Sequence, residues 1–141
     1  MPRFLAAVLM LSAIFPASRV YGAPGTARER FEKYVGKYPD ALFKGEPDVN
    51  RRLRTMLGAN YTLFTERFQL GEPIENSKGI LVVKGCKAHE CGDEVAILLI
   101  NLSDGKLHCA IKSDTYSDKV KTFSEDRDRF PSTALKSALG E

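Results

Sequence analysis

The groups most able to do chemistry in this sequence are concentrated in one short segment, Gly85-Cys86-Lys87-Ala88-His89-Glu90-Cys91-Gly92. In an oxidising compartment, Cys86 and Cys91 can form a disulfide across the four residues between them. The loop-entropy relation gives roughly 2 kcal/mol for so small a ring, so we expect it mainly to set local shape. The ring would present Lys87, Ala88, His89 and Glu90 on a rigid protrusion that binds a partner at little ordering cost.

Two other chemistries compete for the same residues. Cys86, His89 and Cys91 could supply three zinc ligands, with His108 or Cys109 as a fourth. Their spacing is not that of a known zinc finger, and an oxidising compartment favours the disulfide. His108-Cys109 does not form a nucleophilic dyad, because adjacent strand residues point to opposite faces. We expect Cys109 to be unpaired and buried, and His108 to be exposed on its strand.

Nothing in the sequence indicates an enzyme. It contains no Gly-rich phosphate loop, Walker pattern, H-E-x-x-H or G-x-S-x-G. A convex loop suits insertion into the cleft of another protein, whereas catalysis needs a concave site. We therefore predict a binding protein without catalytic residues, metal or cofactor. A disulfide hairpin that merely shapes a turn is the plainer alternative.

The first 22 residues have the features of a secretory signal peptide. Arg3 precedes an uncharged apolar run from Phe4 to Phe15, shorter than the ~20 residues of a membrane-spanning helix. Cleavage after Gly22 would leave residues 23–141 as one domain with a net charge of +1. That balance favours neither a nucleic-acid nor a membrane partner.

Hydrophobic spacing predicts an amphipathic helix from Thr26 to Tyr38, ended by Pro39, and a second helix from Pro47 to Leu57, stopped by Gly58. Arg51, Arg52 and Arg54 mark the solvent side of the second helix. Tyr61 to Leu70 is ambiguous, since Tyr61, Leu63 and Thr65 alternate but Phe64 and Phe68 are four apart. We interpret this segment as a strand.

The strands that flank the cysteine ring have the clearest patterns. We expect strands at Ile80–Val83, Val95–Ile100 and Leu107–Ile111, with a tight turn at Ser103–Lys106. The uninterrupted apolar run of the second strand is typical of a strand covered on both faces. Glu125–Arg129 is predicted to be an exposed loop, and Pro131–Leu139 a last helix. The fold class is α+β, an antiparallel sheet with flanking helices and a protruding disulfide-closed loop.

The segment Cys86-Lys87-Ala88-His89-Glu90-Cys91 resembles the signature loop of the Ivy family, the inhibitors of vertebrate lysozyme. That loop is typically Cys-Lys-Pro-His-Asp-Cys, so Ala88 replaces the proline and Glu90 the aspartate. The good correspondence covers about Leu70 to Ile111. The resemblance implies a secreted, periplasmic protein of a Gram-negative bacterium, and the loss of the proline predicts a less rigid loop.

The resemblance also implies a mechanism and partners. The loop would enter the active-site cleft of a c-type lysozyme, where His89 meets the two catalytic carboxyl groups. Lys87 and Glu90 would make polar contacts at the cleft mouth, while the Cys86–Cys91 disulfide fixes the loop. A homodimer is also implied, and a free Cys109 could cross-link it. The alternative is a non-inhibitory periplasmic binding protein of the same fold, acting on the cell's own lytic transglycosylases.

Overall fold

The computed structural model describes residues 25–141, in which helices pack on both faces of one antiparallel sheet. The predicted signal peptide lies outside the described residues. The helices are α1 (Ala27–Glu32), α2 (Pro39–Gly45), α3 (Pro47–Leu57), α4 (Tyr61–Glu66) and α5 (Ser132–Leu139). The strands are β1 (Leu70–Gly71), β2 (Glu75–Ser77), β3 (Ile80–Cys86), β4 (Val95–Asn101), β5 (Leu107–Lys112) and β6 (Val120–Ser124). Within residues 25–141, no helix combines the length and apolar character needed to cross a bilayer.

The sheet has the order β1-β3-β4-β5-β6, and β2 also pairs with β3. Strand β4 is buried on both faces, which confirms the prediction from its apolar run. Ala96, Leu98 and Ile100 pack against α1 to α4, whereas alternate β4 residues pack against α5. The predicted fold class is therefore confirmed: the protein is α+β, with a helical layer on each side of the sheet.

The two predicted N-terminal helices have different outcomes. Helix α3 has the predicted bounds, and Gly58 ends it with a φ of 54°. Helix α1 begins after Thr26, as predicted, but it ends at Glu32. Pro39 does not end that helix. It begins α2, because proline is well suited to the first turn, where its missing N–H is not needed.

The predicted strand at Tyr61–Leu70 is wrong. Residues 61–66 form α4, and only Leu70 belongs to a strand, the two-residue β1. Residues four apart lie on one side of the chain in both a helix and a strand, so the spacing of Phe64 and Phe68 does not decide between them, and the packing of Phe64 in the core does. Phe64 is completely buried, and its ring centroid lies 5.2 Å from that of Phe68.

His108 is buried, not exposed as predicted. Strand β5 lies between β4 and β6, and Phe130 covers the face of β5 that carries the imidazole, 5.6 Å away between ring centroids. Its Nδ1 lies 2.7 Å from Ser124 Oγ. Cys109 is unpaired and buried, as predicted, on the opposite face. This burial prevents Cys109 from cross-linking two folded copies.

The segment that begins at Glu125 is more than an exposed loop. Glu125 accepts hydrogen bonds from Arg52 Nε and from Leu107 N–H, each at 2.8 Å. Arg52 also donates to Gly105 O at 2.7 Å, so it does not lie on the solvent side of α3 as predicted. Burial alone raises the pKa of Glu125, but these hydrogen bonds lower it overall. The arrangement ties α3 to the β4–β5 hairpin.

Candidate functional site

The cysteine segment forms a loop that joins β3 to β4. Cys86 ends β3 and pairs in the sheet with Val95, the first residue of β4. Cys86 and Cys91 form the predicted disulfide, with 4.9 Å between their Cα atoms. Their sulfurs are bonded to each other, so the zinc interpretation fails. No group of three or more potential metal ligands occurs in residues 25–141. We call residues 86–94 the disulfide loop.

The crest of the disulfide loop, residues 87–90, is ordered by hydrogen bonds within the loop. Glu90 N–H donates to Lys87 O at 3.0 Å, and Lys87 N–H donates to Glu94 O at 3.0 Å. Lys87 Nζ lies 2.8 Å from Glu90 Oε1. This hydrogen bond raises the pKa of Lys87. The two charged side chains of the crest are therefore paired with each other.

His89 lies at the crest between these two charged residues. Its side chain is exposed, and its φ of 67° is in the left-handed region. Histidine, asparagine and aspartate occupy that region more readily than bulky or β-branched residues. Gly85 and Gly92, on the two sides of the crest, do not have a positive φ. The backbone reversal therefore occurs at the histidine itself.

Gly85 permits close packing at the base of the loop, where β3 ends and β4 begins. A Cβ at this position would lie 2.5 Å from Phe68 Cδ1 and 2.8 Å from Arg67 O. Both distances are shorter than real Cβ contacts, so a side chain there would displace its neighbours. The segment that follows α4 is thus pressed against the end of β3.

Four consecutive residues, Arg67 to Leu70, each contact the disulfide loop or its base. Phe68 packs against Gly85, and Leu70 pairs with Cys86 in the sheet. Gln69 Oε1 accepts a hydrogen bond of 3.0 Å from Ala88 N–H. We call residues 67–70 the supporting segment. The sequence interpretation missed it because it assigned these residues to a strand.

A buried ion pair joins the supporting segment to the far end of the loop. Arg67 pairs with Glu94, the last residue before β4, and both side chains are buried. Glu94 Oε1 also accepts hydrogen bonds from Ser113 Oγ at 3.0 Å and from Asp114 N–H at 3.2 Å. Burial alone raises the pKa of Glu94, but these hydrogen bonds and the Arg67 guanidinium lower it overall.

The sequence contains a weak signal for this ion pair. Glu94 directly precedes an uninterrupted apolar strand, and Arg67 lies between two phenylalanines in the pattern Phe64-Thr65-Glu66-Arg67-Phe68. A charged residue that adjoins a buried apolar stretch can be buried with it, and a buried charge is normally paired with an opposite charge. The signal indicates burial, but it does not identify the partner.

An open cavity of about 580 Å³ lies beside the supporting segment. Gln69 and Phe68 form part of its wall, together with Phe43, Pro39 and Tyr38. Its lining contains neither histidine nor cysteine, and it is distinct from the exposed crest that carries His89. The predicted site residues Lys87, Ala88, His89 and Glu90 are thus brought together on a protrusion, not in a pocket.

One comparison with known proteins gives a match. A family model described as inhibitor of vertebrate lysozyme (Ivy) matches residues 48–141, about two thirds of the chain. The matched region begins in α3 and includes the supporting segment, the whole sheet and the disulfide loop. No curated protein and no solved structure matches the chain.

Proposed function

This chain belongs to the Ivy family of inhibitors of vertebrate lysozyme, and from that premise we propose that it inhibits a c-type lysozyme through its disulfide loop. At the family level the partner is a lysozyme and the activity is inhibition, not catalysis. The loop is proposed to enter the active-site cleft of the enzyme and to occupy the space of a sugar. The observation that carries this proposal is the exposed His89 at the crest of a disulfide-closed loop.

The chemistry of an imidazole fits the proposed target. A retaining glycosidase holds one carboxyl group protonated as its general acid and keeps the other ionised. A neutral imidazole has one donor nitrogen and one acceptor nitrogen. The ring of His89 can therefore accept a hydrogen bond from the acid and donate one to the carboxylate. A single side chain would engage both catalytic groups.

Lys87 and Glu90 are proposed to contact the mouth of the cleft. In the free protein they pair with each other at 2.8 Å, and both side chains are nearly half exposed. Such an exposed pair contributes little to stability, so exchanging it for contacts with a partner costs little. The loop can thus present two charges of opposite sign around His89 without losing its own fold.

The periplasm is the proposed site of action. A disulfide persists in an oxidising compartment, and the N-terminal sequence has the pattern of a secretory signal. Lysozyme that reaches the peptidoglycan of a Gram-negative cell would meet the inhibitor there.

The direct test is the lysis of bacterial cell walls by a c-type lysozyme, titrated with oxidised protein of residues 23–141. We expect inhibition to be complete near one equivalent. Lysis that continues at full rate with a large excess of folded protein would overturn the proposal. Binding to purified lytic transglycosylases, without effect on lysozyme, would instead support the alternative partner.

The role of His89 is tested by His89→Asn. Asparagine accepts a positive φ, so the loop backbone is retained while both ring nitrogens are lost. We expect inhibition to fall by at least a hundredfold with an unchanged melting temperature. Lys78→Asn is the matched control, because Lys78 also has a positive φ (49°) but lies beyond the other end of β3. Full inhibition by His89→Asn would exclude the imidazole mechanism.

A further inference from the structure

We propose that Gln69 is a positioning residue that holds the disulfide loop in its binding conformation. In this chain Gln69 restrains the backbone at residue 88, where the loop that the sequence resembles has a proline. The inference rests on the proposed function for its inhibition measurements. Its structural basis is independent of lysozyme.

The hydrogen bond between Gln69 and Ala88 depends on the absence of proline. Ala88 N–H donates to Gln69 Oε1 at 3.0 Å. A proline at this position has no N–H and could not make this bond. Proline restricts a loop by fixing its own φ, whereas alanine leaves the backbone freer. The glutamine therefore supplies from outside the loop a restraint that the alanine does not supply from within.

Among the hydrogen bonds of residues 25–141, this is the one that joins residues 88–90 to a residue outside the disulfide loop. The other hydrogen bonds of these residues are to Lys87, Asp93 and Glu94, inside the loop itself. These internal bonds shape the crest, but they do not fix its orientation relative to the sheet. The hydrogen bond from Ala88 to Gln69 fixes that orientation at the residue directly before His89.

The backbone that carries Gln69 is itself well held. Phe68, on one side, packs against Gly85 and forms an edge-to-face pair with Phe43, at 5.1 Å between ring centroids. Leu70, on the other side, pairs with Cys86 in the sheet. The backbone that carries the acceptor oxygen is thus held in place on both sides of Gln69, as a positioning contact requires.

The experiment is a double-mutant cycle with two readouts in the full mature protein. The variants are Gln69→Ala, Ala88→Pro and the combination of both. The readouts are the inhibition constant against a c-type lysozyme and, where residue 88 is alanine, hydrogen exchange of its amide. We expect Gln69→Ala to weaken inhibition by about three- to tenfold, the size of one surface hydrogen bond, and to speed up exchange at Ala88. In the Ala88→Pro background the same substitution should change inhibition less than about twofold, because the donor is gone.

Two further variants separate positioning from general stability. Gln69→Glu keeps an acceptor oxygen at the same reach and should retain inhibition and slow exchange. Thr62→Ala removes an exposed side chain of the neighbouring helix α4 and should change neither readout. Melting temperatures within about 1–2 °C of the wild type are expected for all of them.

The outcomes can be told apart. Unchanged exchange at Ala88 in Gln69→Ala would overturn the inference, as would an equal effect of Gln69→Ala in both backgrounds. If the wild-type protein does not inhibit lysozyme, the proposed function fails, and exchange at Ala88 alone decides whether Gln69 holds the loop.

Discussion

The Arg67 guanidinium and the Glu94 carboxylate form an ion pair in the protein interior, at the base of the disulfide loop. Arg67 directly follows α4 and Glu94 directly precedes β4, so neither residue belongs to a helix or strand. The side chains are 5% and 9% exposed. The position of the loop relative to the helical layer therefore depends on a contact between two connecting segments.

Replacing Glu94 by glutamine should destabilise the whole protein. The Arg67 guanidinium would remain buried without a counter-charge, which typically costs about 3–5 kcal/mol in the free energy of unfolding. Urea denaturation measures this loss. Asp93→Asn removes the neighbouring exposed carboxylate and should change stability by less than about 0.5 kcal/mol. Equal stability of the two variants would show that the buried pair does not anchor the loop.

Acid should remove the same stabilisation. Because the pKa of Glu94 is lowered by folding, the unfolded carboxylate takes up a proton first, at about pH 4.3. The stabilisation is therefore complete above that pH and is lost as the pH falls towards the pKa of the folded state. The free energy of unfolding, measured from about pH 6 to about pH 3, should fall more steeply in the wild type than in Glu94→Gln. The lowered pKa values of Asp48 and Glu125 act in both proteins, so the difference isolates Glu94.

His108 should make stability depend on pH in a second, higher range. Burial lowers its pKa, and this effect outweighs the opposing influence of Asp104, Asp126 and Glu125. The unfolded histidine takes up a proton at about pH 6.5, so stability should decline as the pH falls below that value. His108→Leu should show no such decline between about pH 7.5 and 5.5. His89→Asn, which removes the exposed histidine, is the matched control. A decline of equal size in His108→Leu would contradict this assignment.

Gly85 and Gly92 flank the loop crest but should differ sharply in their tolerance of a side chain. Gly85→Ala forces a Cβ against Phe68 and the Arg67 carbonyl, and we expect a loss of about 1–3 kcal/mol together with weaker inhibition. At Gly92 no atom lies within 4 Å of such a Cβ, and the φ is not positive. Gly92→Ala should therefore be neutral or stabilising by up to about 1 kcal/mol. Thermal unfolding of both variants tests the contrast, and a harmless Gly85→Ala would show that the supporting segment is not closely packed.

Much of the fold could be predicted from local patterns. The apolar run of β4 predicted a strand buried on both faces, and Pro47 and Gly58 marked the two ends of α3. The Cys86–Cys91 disulfide followed from residue types and spacing, and the family followed from the resemblance of this loop to the Ivy signature loop. These features are local because each depends on residues that are close together in the sequence.

The support of the loop could not be predicted in this way. Tyr61–Leu70 satisfied two periodicities at once, and packing of Phe64 in the core decided between them. His108 is buried because Phe130, from a segment after β6, covers it. Only the tertiary structure joined Arg67 to Glu94, 27 positions apart, and Gln69 to Ala88, 19 positions apart. A sequence pattern records which face a residue prefers, but the partner it meets there is decided by how separate elements pack together.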